Sequence, residues 1–505
     1  MLAAGALLAS LLGPALVYGA FDVGYGNDDD LSRSLLFEVA IYEPEEVIPG
    51  YWFIAPYARI TQEKHPNQNT CDFRVFEAND TTFLSAILTP YHPKDPTGHA
   101  IIFDSSMQIT QRHHTPNALV PFNMHEFNVI HNGKTAMHII QKSQLMDVSH
   151  LKDNPGIKSG LVVDMGIREF DLVTGETTFK WWAGDHVNLN ASTYPVRNLN
   201  GPFPNAWDWI HLNAIDKNHE GDYMITARYT DAVYKISGKD GHIMWSLGGA
   251  TSSFVMDAFN FTRPHDGRFL SSDATSETIT LLDNGGCEES ISAETSSALI
   301  IHLDKSSEPW TATFHELTSS RHRPDDGRSE KRGNFQLLPN GNAFVGWSEN
   351  SYISEHSPDG RLLMEAQFTS HRFVTYRAYK FNFTSAPSEP PVLKAFAYGE
   401  SVDQSVSVYY VSWNGATDVA IWEFYDEDDA LLGRAPKSGF ETTFSRSSRY
   451  RDKVYAVAVS AGGVVLGKTV LEDVEYPRSW TVSDGRQEPD DRREGSMSSG
   501  EKDEL

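Results

Sequence analysis

Two histidines stand where strands are predicted to begin, and both could do chemistry. His211 follows an aromatic loop at residues 207–210, and His265 follows Pro264 and precedes Asp266. An imidazole can attack an electrophile, or take and give a proton near neutral pH. Polar side chains in the same stretches could hold an anion as charge moves: Asn213, Arg228, Arg268 and Asn334. The alternative is that these groups only tie loops together, because buried polar groups need hydrogen-bond partners.

Other catalytic patterns are missing from the sequence. There is no Gly-rich phosphate loop, no Gly-x-Ser-x-Gly elbow and no His-Glu-x-x-His, so no cofactor and no metal site are predicted. The two cysteines, Cys71 and Cys287, are too far apart for a zinc knuckle or a thioredoxin-type pair. They could form one disulfide in an oxidising compartment or remain thiols, and the sequence leaves both open.

The elements that must position these residues are short strands. Between about residues 37 and 383, apolar runs are broken by Gly, Asn, Asp or Pro about every eight to twelve residues, and little of the pattern has helical period. Residues 223–247 read as a meander with a turn at Asp240-Gly241. Such units recur, four clearly and two more before residue 150, which predicts a six-bladed β-propeller rather than stacked β-sandwiches. Strand starts from successive blades would bring His211 and His265 to one central channel.

The composition of the chain changes at a Pro-rich stretch. We expect an all-β protein with a propeller at 20–384, a linker at 385–391 and a small immunoglobulin- or fibronectin-like β-sandwich at 392–475. The second domain has short strands with hairpin turns and lacks a Cys–Trp–Cys frame, which favours the fibronectin-like version.

Several segments together resemble the arylsulfotransferase family, in its fungal-type branch. The residues that carry the resemblance are Ile210-His211-Leu212-Asn213-Ala214-Ile215, Gly221-Asp222-Tyr223, Pro264-His265-Asp266, Asp283-Asn284-Gly285 and Gln336-Leu337-Leu338-Pro339-Asn340-Gly341-Asn342. The resemblance implies a six-bladed propeller with its active site in the channel. It also implies transfer of a sulfuryl group from an aryl sulfate to a phenol through a sulfated histidine, without a nucleotide donor. His211 and His265 match the channel histidines, and the substrate would be a small aromatic compound.

Two features differ from the family pattern. Bacterial members have an Arg after the Asn-Gly pair, whereas residues 295–299 here contain none. They also have a third histidine, where this chain has Asn334; His322 lies upstream in a polar loop. The competing hypothesis is therefore a non-catalytic propeller that binds a glycan, peptide or client protein. A third is another group transfer or a lyase-like step on a small metabolite.

Both ends of the chain predict the lumen of the endoplasmic reticulum. Residues 1–19 read as a signal peptide, with an uncleaved anchor as the alternative, and no other segment approaches the length of a membrane span. The polar tail, 476–505, is expected to be disordered. It ends in Lys502-Asp503-Glu504-Leu505, which the KDEL receptor would recognise as a retention signal.

Charge and glycosylation motifs agree with this compartment. A net charge of −26 argues against binding to nucleic acid or to an anionic membrane. Four Asn-x-Ser/Thr acceptors are predicted glycosylation sites: Asn79, Asn190, Asn260 and Asn382.

Overall fold

The structure is a computed structural model that describes residues 37–58, 70–90, 95, 97–116, 120–151, 157–196, 206–287, 290–319, 327–369, 373–477 and 480. The predicted signal peptide, the KDEL tail and His322 lie outside these residues. Within them the chain is all-β, with single-turn 3₁₀ segments and no α-helix, as the strand pattern predicts. No described helix is long and apolar enough to cross a membrane.

Strands fill most of the described chain. The first fifteen are β1 (Phe37–Ile41), β2 (Tyr51–Ala58), β3 (Thr70–Ala78), β4 (Thr81–Leu88), β5 (His99–Phe103), β6 (Ile109–His113), β7 (Phe127–Ile130), β8 (Thr135–Asp147), β9 (Ser159–Asp171), β10 (Thr177–Trp182), β11 (Trp207–Asp208), β12 (Leu212–Lys217), β13 (Tyr223–Ala227), β14 (Ala232–Ile236) and β15 (Ile243–Gly248). The next twelve are β16 (Val255–Met256), β17 (His265–Ser272), β18 (Ser276–Asp283), β19 (Gly286–Cys287), β20 (Ser290–Ile291), β21 (Ser297–Asp304), β22 (Thr311–Ser319), β23 (Asn334–Leu337), β24 (Ala343–Trp347), β25 (Tyr352–His356), β26 (Leu362–Phe368) and β27 (Phe373–Phe381).

The last eight strands belong to the C-terminal part. They are β28 (Val392–Ser401), β29 (Gln404–Ser412), β30 (Val419–Asp426), β31 (Leu431–Pro436), β32 (Glu441–Ser448), β33 (Lys453–Ser460), β34 (Val465–Lys468) and β35 (Glu472–Asp473). The 3₁₀ turns are at Ala183–Asp185, Leu189–Ala191, Arg228–Thr230, Gly249–Thr251 and Ser348–Asn350.

Most of the sheets are antiparallel meanders of consecutive strands. The large ones run β3-β4-β5-β6, β7-β8-β9-β10, β12-β13-β14-β15, β17-β18-β21-β22 and β23-β24-β25-β26. The predicted meander at residues 223–247 is confirmed as β13, β14 and β15. Two pairings join the first two strands to strands much later in the chain: β1 pairs with β26, and β2 pairs with β27.

The predicted Asp240-Gly241 turn shows why these sequences form hairpins. Gly241 has φ +79, a left-handed conformation that glycine adopts without a Cβ clash. Trp181, from the preceding sheet, donates its indole N–H to the Gly241 carbonyl at 2.9 Å. The two strands before this turn are buried on both faces: every residue of β13 and of β14 is buried. Neighbouring sheets therefore cover each other and share turn contacts.

Side chains near the starts of β3, β12 and β23 bind the backbone of a strand in another sheet. The pairs are Asp72 Oδ2 with Phe127 N (2.9 Å), Asn213 Oδ1 with Asp266 N (3.2 Å), and Asn334 Oδ1 with Ala378 N (2.8 Å). Apart from Ala378, these residues lie at or near the N-terminal ends of their strands. They hold those ends side by side, which is where the predicted histidines stand.

The described residues divide into two compact units. One extends to Glu389 and includes Trp413–Val419, and the other contains Pro390–Ser412 and the residues from Ala420 onward. The second unit has a sheet of order β28-β29-β32 and another of order β31-β30-β33-β34, with β35 on β33. Tyr409, Phe424 and Phe444 pack their rings together between strands of these two sheets, 4.8–5.7 Å apart.

Candidate functional site

His211 is held by a carboxylate in the loop before β12. Asp208 accepts the His211 backbone N–H at 3.1 Å with one oxygen and contacts the ring Nδ1 at 2.6 Å with the other. This bond fixes the orientation of the ring and leaves Nε2 as the nitrogen available for proton transfer. The side chain remains partly exposed, at 22%. His211 can therefore reach a ligand while its ring orientation is fixed.

A second imidazole, His125, lies against the first and was not predicted. The two rings meet edge to face at 4.7 Å. Asn123 Oδ1 contacts both the His125 backbone N–H (3.0 Å) and the ring Nδ1 (2.8 Å), which leaves the lone pair on Nε2. Burial lowers the pKa of His125 well below 6.5, and the neighbouring His211 and Arg377 lower it further. The ring is therefore neutral at physiological pH and can act as a nucleophile.

His265 lies deeper and uses both ring nitrogens. Nδ1 donates to the Gly333 carbonyl at 2.6 Å, and Nε2 accepts from the Tyr376 hydroxyl at 3.1 Å. Burial lowers the pKa of His265 well below 6.5. The Tyr376 ring separates it from His125, with ring centroids 5.4 Å and 5.6 Å away. His265 thus positions Tyr376, rather than facing open space as His211 does.

Aromatic rings line the exposed side of His211. Tyr229 lies 4.8 Å from the His211 ring, and Tyr194 stacks on Tyr229 at 4.1 Å with an interplanar angle of 8°. Both tyrosines are half-buried, so their faces can receive another flat ring. Trp207 and Trp209 of the predicted aromatic loop are instead buried in the core.

Arg228 supplies a cation that lacks a carboxylate partner among the described residues. Its guanidinium donates to Asn284 Oδ1 (3.1 Å) and to the Glu330 carbonyl (2.7 Å), while its backbone N–H bonds the His211 carbonyl (3.0 Å). Burial lowers the pKa of this guanidinium. Residues 295–299 contain no Arg, but the structure brings Arg228 to Asn284 from the end of β13. We call His125, His211, His265, Tyr376 and Arg228 the imidazole group.

Arg268 was predicted to bind substrate, but it belongs to a buried ion network. The network alternates three carboxylates with three guanidinium groups: Asp72, Arg74, Glu126, Asp266, Arg268 and Arg377. Arg268 contacts Asp266 at 2.5 Å and Glu126 at 2.8 Å. Burial raises the pKa of Glu126, but its three arginine neighbours outweigh that effect and lower the pKa to about 2. The arginines are neutralised within the network, so Arg268 is not available to a bound anion.

Asn213 and Asn334 were also predicted to bind substrate, and both have their amide groups bonded to backbone. Asn213 donates to the Pro264 carbonyl at 2.9 Å in addition to accepting from Asp266. Asn334 donates to the Ala378 carbonyl at 2.6 Å and accepts from the N–H of the same residue. These side chains hold neighbouring strands in register and support the site from behind.

The remaining predicted residues are the two cysteines and the four glycosylation acceptors. Cys71 and Cys287 are buried as thiols in different sheets, with no disulfide between them. Burial raises the pKa of the Cys71 thiol to about 12, and Cys287 Sγ accepts from Arg263 Nε at 3.1 Å. All four predicted glycosylation acceptors are exposed: Asn79, Asn190, Asn260 and Asn382. Their modification stays a prediction.

A repeated local pattern could have identified His125. In Asn123-Met124-His125-Glu126-Phe127, as in Asp208-Trp209-Ile210-His211-Leu212, an Asn or Asp stands two or three residues before a histidine that precedes a strand. The short side-chain oxygen can reach both the backbone N–H and the ring of that histidine. Tyr376 had no such pattern, because it lies within β27 and reaches His265 across 111 residues.

The family described as Arylsulfotransferase (ASST) matches residues 94–369. No curated protein matches the sequence significantly. Among solved structures, GH43 BlXynB from Bacillus licheniformis aligns at 8% identity with a TM-score of 0.31, over 82% of this chain and 91% of that one. Streptogramin B lyase aligns at 9% identity and 0.30, over 81% and 94%. TM-scores this low carry no argument about the fold, which is therefore described from the sheets of this chain alone.

Proposed function

Because this chain belongs to the arylsulfotransferase family, we propose that it transfers a sulfuryl group from an aryl sulfate to a phenol at the imidazole group. One observation carries the proposal. The ring centroids of His125 and His211 lie 4.7 Å apart. Each ring is held through Nδ1, His125 by an Asn oxygen and His211 by an Asp oxygen. Two imidazoles with fixed and different partners can perform two roles, one covalent and one in proton transfer.

In the first half-reaction, His125 is the nucleophile. Its Nε2 forms a bond to sulfur while the bond between sulfur and the aryl oxygen breaks. The His211 imidazolium, supported by Asp208, gives its Nε2 proton to the departing phenolate. The uncharged state of His125 favours attack, because its lone pair needs no prior deprotonation.

In the second half-reaction, a phenol acceptor replaces the product. His211 takes the acceptor's proton, the acceptor oxygen attacks sulfur, and the N–S bond to His125 breaks. Both histidines return to their starting states, so no further reactant is needed. The Arg228 guanidinium holds the sulfuryl oxygens in both steps, since no described carboxylate neutralises it. Tyr229 and Tyr194 offer the faces on which the aryl ring stacks.

Nitrophenyl sulfate with a phenol tests this proposal directly. We expect nitrophenolate release by the wild-type protein and a loss of about 10²–10⁴-fold in His211→Ala, the usual range for a general acid–base group. His125→Ala should abolish transfer. With donor alone, peptide mass spectrometry should find one sulfuryl group on His125. His219→Ala, an exposed histidine at the far end of the same sheet, is the matched control and should behave as wild type.

Two outcomes would overturn these roles. Sulfation found on another histidine would remove His125 as the nucleophile. Folded protein that binds aryl sulfates without turning them over would support the non-catalytic binding protein that the sequence left as the alternative.

We also propose that the first unit closes into a six-bladed propeller, followed by a small fibronectin-like sandwich. Five large meanders and the β2–β27 ribbon give six sheets, and the pairing of β1 with β26 joins the two ends of the unit. An experimental structure with six sheets around one axis would establish this. An open or five-sheet arrangement would contradict it.

We propose residence in the lumen of the endoplasmic reticulum, with the KDEL receptor as a partner. The support is the sequence of residues 1–19 and of Lys502-Asp503-Glu504-Leu505. Removing the last four residues should move the protein into the medium. Glycosidase digestion should shift its mobility in proportion to the acceptors used. Retention of the truncated protein would contradict the signal.

A further inference from the structure

Two histidines and an aspartate meet at one end of the sheet β3–β6. His99 begins β5, and His114 directly follows β6. Because Ala100 pairs with His113, the next residues outward, His99 and His114, face each other across the two strands. Their ring centroids lie 4.6 Å apart. Ligand atoms of Asp95, His99 and His114 all lie within 4.8 Å of one another.

Asp95 fixes the orientation of His99. Its Oδ2 contacts His99 Nδ1 at 2.5 Å, while Oδ1 accepts the Gly98 N–H at 3.0 Å. With the proton on Nδ1, the lone pair of His99 lies on Nε2. The side chain is buried, yet no described residue hydrogen-bonds this Nε2. A buried acceptor without a partner is unfavourable, and a carboxylate behind Nδ1 is the usual support of a metal-binding imidazole.

We propose that His99 and His114 bind a Zn²⁺ ion, with Asp95 as the carboxylate that orients His99. Imidazole nitrogen is a preferred zinc ligand, and solvent can complete the tetrahedral coordination because His114 is exposed. Oxygen-seeking ions such as Ca²⁺ do not favour two imidazoles. The ion would fasten the turn before β5 to the end of β6.

The site lies at the end of the sheet where β3 begins, on β5 and β6, with β4 between it and β3. Thr70 pairs with Leu88, and Leu88 pairs with His99, so His99 lies in the row that starts at the beginning of β3. First strands of neighbouring sheets also begin at this end, beside His125 and His211. Zinc would therefore rigidify a connection at the end of the sheet where the imidazole group lies.

Calorimetric titration of the full chain tests the proposal, after removal of metal with a chelator. We expect one saturable Zn²⁺ site, and a rise in melting temperature with Zn²⁺ but not with Ca²⁺. His114→Ala, an exposed change that should not disturb folding, is expected to weaken binding by more than tenfold and to abolish the thermal shift. Asp95→Asn should weaken it by about 10–100-fold, as orienting carboxylates do.

His242→Ala is the matched control for the 17 histidines outside the proposed site. His242 is an exposed histidine with its own Asp partner at 2.6 Å, but it belongs to no described group of three metal-binding side chains. Unchanged binding in His242→Ala and loss in His114→Ala support the site. Equal binding by wild type and His114→Ala, or no saturable binding by the wild type, would overturn it.

Discussion

The ion network and the imidazole group lie side by side in the same unit, and they use buried arginine in opposite ways. In the network, each guanidinium touches at least one carboxylate, and Arg377 touches three, at 2.7, 3.1 and 3.2 Å. In the imidazole group, the hydrogen bonds of the Arg228 guanidinium to described residues go to one amide oxygen and two carbonyl oxygens, with no carboxylate among them. The arginines of the two regions are similarly buried and carry the same charge, and only their hydrogen-bond and ion-pair partners differ.

The difference separates support from chemistry. Three carboxylates neutralise three arginines in the network, so an anion placed there would meet no uncompensated cation. Arg228 keeps its charge available, next to imidazoles whose Nε2 atoms have defined roles. A buried arginine is thus a candidate for anion binding only when carboxylates do not surround it. The predictions below test this contrast from its largest expected effect to its smallest.

Removing Arg377 should destabilise the protein most. Arg377→Met leaves Asp72, Glu126 and Asp266 with too few cations in a buried setting, so we expect a loss of about 3–5 kcal/mol in the free energy of unfolding. Chemical denaturation measures it. Arg361→Met removes an exposed ion pair with Glu46 and serves as the control, with an expected change far smaller than that of Arg377→Met, because solvent screens exposed pairs. Equal changes in the two variants would mean that the network contributes little.

Removing Arg228 should affect activity more than stability. Arg228→Met is expected to lower kcat by about 10²–10³-fold, the usual effect of losing one group that stabilises transition-state charge. Its neutral partners lose hydrogen bonds but no buried carboxylate is left uncompensated, so the free energy of unfolding should fall by about 1–3 kcal/mol. Arg228→Lys keeps the charge and should recover part of the activity. Full activity in Arg228→Met would place the anion site elsewhere.

Acid should weaken the two regions in different pH ranges. The pKa of His265 is lowered below 6.5 by burial, so its contribution to stability is complete above pH 6.5 and decreases as the pH falls below that value. The pKa of Glu126 is lowered from 4.5 to about 2, so its contribution is complete above pH 4.5 and is lost between pH 4.5 and 2.

Unfolding free energies measured against pH can separate these contributions. His265→Gln should flatten the curve from pH 6.5 downward, whereas Glu126→Gln should change it only between pH 4.5 and 2. The slope is the quantity to compare, because both variants also change the stability at neutral pH. If the two variants alter the same part of the curve, the regions titrate as one unit.

Local patterns in the sequence predict the strands but not how the sheets are completed. Short apolar runs and the Asp240-Gly241 turn identify hairpins because both depend on residues close in the chain. The pairing of β1 with β26 joins Phe37 to Phe368, and no local pattern encodes it. The number and closure of the sheets depend on such pairings, so they remain beyond a reading of local periodicity.

The site, too, was predicted only in part, because some of its contacts join residues that lie far apart in the chain. His211 and His265 were expected to converge, and the structure links them through His125 and Tyr376 rather than by direct contact. The sequence could not rank Arg228 against Arg268, because only one of the two carboxylates that neutralise Arg268, Asp266, lies nearby in the chain, while the other, Glu126, lies 142 residues away. His125 has a local pattern, but that pattern is recognised only by comparison with the contact between Asp208 and His211.

The two cysteines provide the smallest and simplest test, since one lies beside each region. Cys71 precedes Asp72 of the ion network, and Cys287 contacts Arg263, whose guanidinium lies 5.3 Å from the Tyr229 ring centroid. They belong to different sheets, so reduction should leave both environments intact. We expect the same melting temperature with and without dithiothreitol, and two thiols per chain by titration in denaturant. A disulfide detected in non-reduced peptides would require the strands that carry Cys71 and Cys287 to approach each other. The ion network and the imidazole group would then not be the separate regions that the other predictions assume.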